Sequence, residues 1–329
     1  MFGGKKTLII ATVSSLNYLY KAEVLAKSVK KQHPEAKVIV CLVEKEMHPD
    51  ARSVPFFDEI ILAKDLGIAD FDQYIFKYDA AEAAWALKSQ VLKYLLANEK
   101  KHDQIIYLDS DIMLYSPLIE VQAKLKNYPI VLTPHDIQNG PRGVYLYNGI
   151  FNAGFIGISR SRAAKDFIDW WAKRVTRYCY RDRSLRLYDD QGWLKLVPTY
   201  FETYILRHPG YNIAFWNLHE RKIGLSILKE YIINDHYLLR FFHYSQHSAI
   251  LKEAVEKEHN KILLDLYLQY SEELKQAKLF PLSNKPWSYD FFINGSKIKK
   301  TSRRNYLNNT RLQTQGNPFT LSNEKLTVF

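Results

Sequence analysis

The chain has almost no cysteine. Two occur in 329 residues, Cys41 and Cys179, and their separation matches neither a disulfide framework nor a zinc-ligand spacing. Both are expected to be buried thiols in a reducing compartment. Long apolar runs are also missing. No stretch approaches the ~18 apolar residues that a transmembrane helix needs. The run from Leu8 to Val13, which follows Lys5 and Lys6, is too short for a signal peptide, and no cleavage-like site comes after it. A cytoplasmic protein is expected, touching a membrane at most peripherally, from the inner face. Internal repeats and low-complexity segments are absent too, which leaves an ordinary globular chain.

What is present is a core and a charge surplus. Hydrophobic residues make up 47% of the chain, which excludes global disorder. The length suits one large domain or one domain with an appendage. Lys and Arg number 46 against 35 Asp and Glu, a formal +11. Such a surplus favours anionic partners, whether nucleotides, phosphorylated lipids, acidic membranes or nucleic acid, and does not choose among them.

Hydrophobic spacing predicts alternating strands and helices. Buried strands are expected at Thr7 to Val13, Val38 to Val43, Glu59 to Leu62, Ile130 to Thr133 and Phe155 to Ile158, with a late one at Leu239 to Phe242. Helices are expected at Lys21 to Lys31, Asp79 to Asn98 and Ala163 to Thr176, and a short one at Gln191 to Leu196. Ser248 to Lys278 reads as a charged amphipathic helix, and Asp136 to Gly143, with Asn139, Gly140 and Pro141, as a loop. This alternation predicts an α/β domain with a mainly parallel central sheet flanked by helices. The boundary falls after residue 247, leaving 248–329 as a helical extension with a basic, aromatic tail.

One stretch carries the chemistry: IIYLDSDIMLYSPL, Ile105 to Leu118. Four apolar residues read as a strand covered on both faces. Asp109 and Asp111 then arrive where it should end, the place where ligands collect in open α/β sheets. Alternate positions point the same way. Two carboxylates so close repel by roughly 3 kcal/mol at ~5 Å and an effective dielectric near 20. Either the pair serves a turn or helix cap, or a bound cation offsets the repulsion.

The segment YLDSDIMLYSPL resembles the metal-binding segment of GT-A glycosyltransferases, in particular the retaining family-eight enzymes of the glycogenin and lipopolysaccharide galactosyl- and glucosyltransferase type. Three further segments fit in order: FNAGFIGI (Phe151 to Ile158), DDQGWL (Asp189 to Leu194) and FFHYSQ (Phe241 to Gln246). The resemblance covers about Thr7 to Gln246. It implies a nucleotide-diphospho-sugar transferase fold, a nucleotide-sugar donor (a UDP-hexose), a saccharide or glycolipid acceptor, and transfer with retention. It also implies a metal held by Asp109, Asp111 and His243, and one imidazole beside two carboxylates suits Mn²⁺ better than Mg²⁺. Lys88 takes the place of a basic residue over the donor. Asn152 and Ala153 touch the donor sugar, Asp190 orients it, and Gln191 lies near the anomeric centre. Thr12, Val13 and Tyr18 resemble the loop that holds the nucleotide, and Ser110 lies between the metal carboxylates. The pattern departs at Gln246, where a glycine would let backbone approach the diphosphate. Tyr211 to Arg221, YNIAFWNLHER, looks like a subgroup feature with no derivable role.

Each residue also has a plainer explanation. His243 could be a core or edge histidine, Lys88 a residue of a solvated helix face, and Asn152 and Ala153 part of a turn before a strand. Either Asp189 or Asp190 could cap the following helix, and Tyr18 could merely pack at a helix entry. The tail holds Lys285, Pro286, Trp287, Tyr289, Phe291 and Phe292 before Lys297, Lys299, Lys300, Arg303 and Arg304. It reads as a solvated segment, disordered at its end, or as a peripheral contact with anionic membrane. Two rival functions lose ground. A sugar-phosphate nucleotidyltransferase wants a glycine-rich loop after the first strand, and ATVSSLNYLY has no glycine. A nucleic-acid-binding protein wants clustered basic and aromatic residues on a known module, so no nucleic-acid partner is expected.

Overall fold

The computed structural model describes residues 7–138 and 143–327. Lys5, Lys6 and the Asn139–Pro141 part of the expected loop lie outside the described residues. The strands are β1 (Thr7–Ser14), β2 (Lys37–Leu42), β3 (Glu59–Leu62), β4 (His102–Leu108), β5 (Ile112–Leu114), β6 (Ile130–Pro134), β7 (Phe151–Ser159) and β8 (Thr203–Ile205). Seven of them form one sheet in the order β3-β2-β1-β4-β7-β6-β8. All pairings are parallel except those of β7, which runs antiparallel to both β4 and β6. The expected mainly parallel sheet is present.

The sheet is covered on both faces. The helices of its first half are α1 (Leu19–Gln32), α2 (Phe71–Phe76), α3 (Ala80–Asn98), α4 (Ile119–Lys124), α5 (Val144–Asn148) and α6 (Arg162–Tyr178). Ile9, Ala11, Ile105 and Tyr107 point into a core with Leu87 and Val91 of α3 and Phe167 and Trp171 of α6. Their neighbours Leu8, Ile10, Ile106 and Leu108 point the other way, onto Leu25 and Val29 of α1 and Val121 of α4. Strands buried on both sides cannot alternate apolar with polar, which is why they read as continuous apolar runs. α3 starts with a reciprocal cap. The Glu82 amide donates to Asp79 Oδ1 at 3.0 Å, and the Asp79 amide donates to Glu82 Oε2 at 3.3 Å.

A 3₁₀ turn at Gln191–Leu196 runs into the short α7 (Val197–Tyr200). A three-stranded meander follows, β9 (Ile223–Leu225), β10 (Tyr231–Ile233) and β11 (Tyr237–Leu238), and then β12 (Phe241–His243), which pairs antiparallel with β5. The helix expected over Ser248 to Lys278 is broken. It consists of a π-turn at His247–Leu251, α8 (Lys252–Glu258) and α9 (Lys261–Gln276). His259 takes a left-handed φ of 50°, and Asn260 then caps α9 by accepting from the amides of Ile262 and Leu263.

The solvated tail is overturned. Trp287, Tyr289, Phe292, Tyr306 and Phe319 are buried in the same core as α3 and α6. Trp287 Nε1 donates to Val43 O at 2.7 Å, and the Ser288 amide donates to Glu44 Oε2 at 2.9 Å. Within the basic run, α10 (Lys300–Asn308) buries Arg303, which donates to the carbonyls of Phe76 and Tyr289. Of the aromatics predicted to meet a membrane, Trp287, Tyr289 and Phe292 are inside the protein and Phe291 is half-buried, so the tail presents no aromatic face for that role. No described helix is long and apolar enough to cross a membrane.

Candidate active site

β4 ends at Leu108, and the residues after it are aimed by its neighbours. The Asp109 amide donates to Gly154 O of β7 at 2.9 Å, which extends the ladder by one residue. Tyr107, two positions earlier, donates its hydroxyl to Asp109 Oδ1 at 2.9 Å. The Ile112 amide then closes a turn on Asp109 O at 3.1 Å. That turn sends the chain into β5, whose register with β12 places Ile112 opposite His243. The Tyr244 amide also donates to Asp111 O at 2.8 Å. A strand pairing thus brings together residues far apart in sequence. His243 Nε2 lies 3.0 Å from Asp111 Oδ1 and 3.9 Å from Asp109 Oδ2. One ligand atom from each of the three residues fits within 4.8 Å of the others.

The imidazole is held from behind. Its Nδ1 lies 3.3 Å from Asn212 Oδ1, and the Asn212 amide nitrogen donates to Thr133 Oγ1. That arrangement makes Nδ1 the donor and turns Nε2 toward the two carboxylates. Trp216 packs edge-on against the ring at 5.3 Å. Gly154 lies under it: a Cβ there would come within 2.5 Å of His243 Cε1. Partial burial pushes the Asp111 carboxyl up, but the His243 imidazole overrides this and holds it well below the usual carboxylate range.

Lys88 projects from α3 into the same space and is 3% exposed. Its Nζ lies 3.0 Å from Asp109 Oδ1, 3.2 Å from Asp190 Oδ2 and 3.2 Å from Ala153 O. Burial alone would lower its pKa, but the carboxylates of Asp109 and Asp190 hold the ammonium above its ordinary value. Gln191 ties the opposite wall together. Its Nε2 donates to Asn148 O at 2.8 Å, and its Oε1 accepts from Asn152 Nδ2 at 3.2 Å and the Ala153 amide at 3.3 Å. These groups line a cleft of about 820 Å³.

Asp189 is buried, left-handed at φ 45°, and bonded through Oδ2 to Arg181 Nε at 2.7 Å. Burial pushes its carboxyl up to about 7 against the pull of that guanidinium. A carboxyl raised above its unfolded value contributes stability that is complete below about pH 4 and is lost as pH rises toward 7. Asn tolerates the same backbone. Asp189→Asn is therefore expected to remove a fall of a few kcal/mol in unfolding free energy between pH 4 and 7, each pKa unit counting about 1.4 kcal/mol. Urea titrations of both proteins across that range measure it. Parallel pH profiles would mean that the carboxyl is already ionised at pH 5.

No protein-family model and no curated protein matches the chain. Solved structures do. The chain is similar to the galactosyltransferase LgtC in complex with donor and acceptor sugar analogs, with a TM-score of 0.50 and 14% identity, covering 83% of this chain and 96% of that one. A glutamine-to-glutamate active-site mutant of LgtC matches with the same TM-score and identity, over 81% and 95% of the two chains. The chain has the GT-A fold.

Within this GT-A fold, Asp109, Asp111, His243, Lys88, Asn152, Ala153, Asp190, Gln191 and Tyr18 all line the one cleft. Several plainer explanations do not hold. Lys88 is not on a solvated face. Asn152 and Ala153 lie inside β7, not in a turn before it. Asp190 holds the N-cap position of the turn at Gln191 but makes no side-chain cap: it reaches Lys88 instead, and Asp189 reaches Arg181. Tyr18 sits at the rim, 49% exposed, with Lys21 Nζ 4.7 Å from its ring centroid. Thr12, Val13 and Ser110 do not line the cleft. β1 continues to Ser14, so Thr12 and Val13 are buried strand residues, not loop residues.

Sequence reasoning did not find Tyr107, Arg181, Asn212 or Trp216 as site residues. The last two lie in the YNIAFWNLHER segment, which supports the histidine. Gln246, where the resemblance favours glycine, keeps a left-handed φ of 54°, so the backbone takes a glycine-like shape while the side chain stays.

Proposed function

We propose that the protein is a glycosyltransferase that moves a hexose from a UDP-sugar to a saccharide or glycolipid acceptor, with a divalent metal and retention of configuration. The observation that carries this reading is the convergence of Asp109, Asp111 and His243 within 4.8 Å at one cleft. The donor set fits a cation on chemical grounds: two carboxylates face Nε2 of His243, whose other nitrogen is already spent on Asn212. Mn²⁺ suits this mixture of oxygen and nitrogen better than Mg²⁺. Such an ion, when bound, supplies Lewis-acid stabilisation of a departing diphosphate.

The chain's own residues do the positioning. Lys88 fixes Asp109 and Asp190 and adds a positive charge beside the leaving group. Asn152, Ala153 and Gln191 form one hydrogen-bonded wall, which holds the Gln191 amide rigid beside the reacting carbon. Asp190 orients the sugar. The carboxylates near Lys88 are committed to it, so a paired-carboxylate hydrolase mechanism does not suit the site, and the leaving phosphate is left to accept the acceptor's proton. The sugar-analog complexes of LgtC support a donor and an acceptor at a cleft of this kind.

Calorimetry with UDP tests the reading. UDP is expected to bind with Mn²⁺ and at least tenfold more weakly with chelator present. Binding that ignores the metal would count against a transferase, and a screen of nucleotide sugars for slow hydrolysis then names the donor. A second expectation concerns Gly154. Gly154→Ala puts a methyl into the His243 ring and should weaken Mn²⁺ binding about 10- to 100-fold, the range for disturbed ligand support. Unchanged affinity in a folded variant would show that the ring is not held by that contact.

A further inference from the structure

The tip of the β9–β10 hairpin exposes two consecutive apolar side chains. Ile227 is 100% exposed and Leu228 80%. They are fixed in place. The Ser226 amide donates to Glu230 O at 2.9 Å, the Lys229 amide donates to Ser226 O at 2.9 Å, and Lys229 takes a left-handed φ of 60°. A tight turn of this kind forces its central side chains outward. Single exposed apolar residues are ordinary, but a preformed pair at an extremity is not.

Beside the hairpin lies an apolar groove of about 660 Å³, floored by Val24, Met113, Tyr231 and Leu239. Its lining carries Lys27, Lys30, Lys31 and Lys229 against Glu230 and Glu273, a surplus of cations. Lys27 pairs with Glu273 and Lys30 with Asp58. Lys31 and Lys229 are exposed and pair with no carboxylate among the described residues. The groove and the catalytic cleft adjoin along α1: Tyr20 and Lys21 line the cleft, and Val24 and Lys27 line the groove. Lys21 and Lys27 are separated by about 9 Å along the helix axis at 1.5 Å per residue.

We propose that this face docks the protein on an anionic bilayer, with Ile227 and Leu228 inserted among the acyl chains and the groove lysines on the headgroups. An apolar wedge flanked by cations is the arrangement that binds such a surface. The docking does not depend on the donor-site reading. Its consequence for the reaction does: the cleft opens beside the membrane and takes an acceptor whose sugar is carried on a lipid.

Sedimentation of the full chain with vesicles tests this. Phosphatidylcholine vesicles are compared with vesicles that also contain phosphatidylglycerol. The unmodified chain is expected to sediment with the anionic vesicles, less so at high salt. Ile227→Ser with Leu228→Ser should weaken this at least tenfold. Lys31→Glu with Lys229→Glu should remove the preference for phosphatidylglycerol, at roughly fivefold for each lysine lost. An unchanged hairpin variant, or an unmodified chain that ignores both vesicles, overturns the proposal. So does concentration-dependent self-association that the hairpin substitutions abolish without any vesicle binding, which would assign the tip to a second copy. UDP titration with Mn²⁺ on the same variants should match the unmodified chain, so a failure of docking is separable from a failure of the donor site.

Discussion

Asp111→Asn is expected to lower Mn²⁺-dependent UDP binding at least about 100-fold and to abolish metal-dependent donor hydrolysis. Disturbing a group that only supports a ligand typically costs 10- to 100-fold, so removing a ligand's charge should cost no less. Asn keeps the volume and leaves the backbone bond from the Tyr244 amide to residue 111 in place. The effect should therefore fall on the ion and spare the fold. Thermal unfolding separates the two. Ligand present at a hundred times its Kd adds about 2.7 kcal/mol of stability, so Mn²⁺ with UDP should raise the Tm of the unmodified protein and leave that of Asp111→Asn unmoved. A variant that keeps full metal-dependent activity would move the site elsewhere.

Lys88→Met should cost about 3–5 kcal/mol of stability, the range for a buried pair that loses one partner. Met matches the length of the side chain but leaves Asp109 and Asp190 facing each other without a cation. Equilibrium urea unfolding in chelator measures the loss. Adding Asp190→Asn to Lys88→Met removes the stranded charge and should restore part of the stability, a coupling that a double-mutant cycle isolates. The loss should also be smaller with Mn²⁺ present, since the ion would supply the missing charge. If Lys88→Met costs under about 1 kcal/mol, the lysine is not what holds the carboxylates together.

Most strands of the main sheet were readable because they are buried on both sides, and α1, α3 and α6 because their apolar residues recur at helical spacing; the short, half-buried β8 and the β9–β11 meander were not read. Asp109 and Asp111 were readable because they interrupt an apolar run. The partnership of His243 with them was not, since it depends on β5, three residues long, pairing with β12. A three-residue strand leaves no periodic signal. It was the resemblance, not the local pattern, that pointed to that histidine. Lys88 shows the opposite limit. A lysine on a helix ordinarily faces water, and only the arrival of Asp109 and Asp190 at its ammonium explains its burial. The tail misled through composition. Its lysines and arginines announce solvent, yet Trp287, Tyr289, Tyr306 and Phe319 fill a core begun almost three hundred residues earlier, and Arg303 is satisfied there by backbone carbonyls.

That late completion of the core matters during translation. Phe76 meets Phe292, Tyr306 and Phe319 ring to ring, so none of those partners exists while the first half of the chain emerges from the ribosome. At about 5–20 residues per second, the face around Phe76 stays uncovered for many seconds. A chain released early, even one with every cleft residue in place, would carry that face bare and be a natural client for chaperones and proteases.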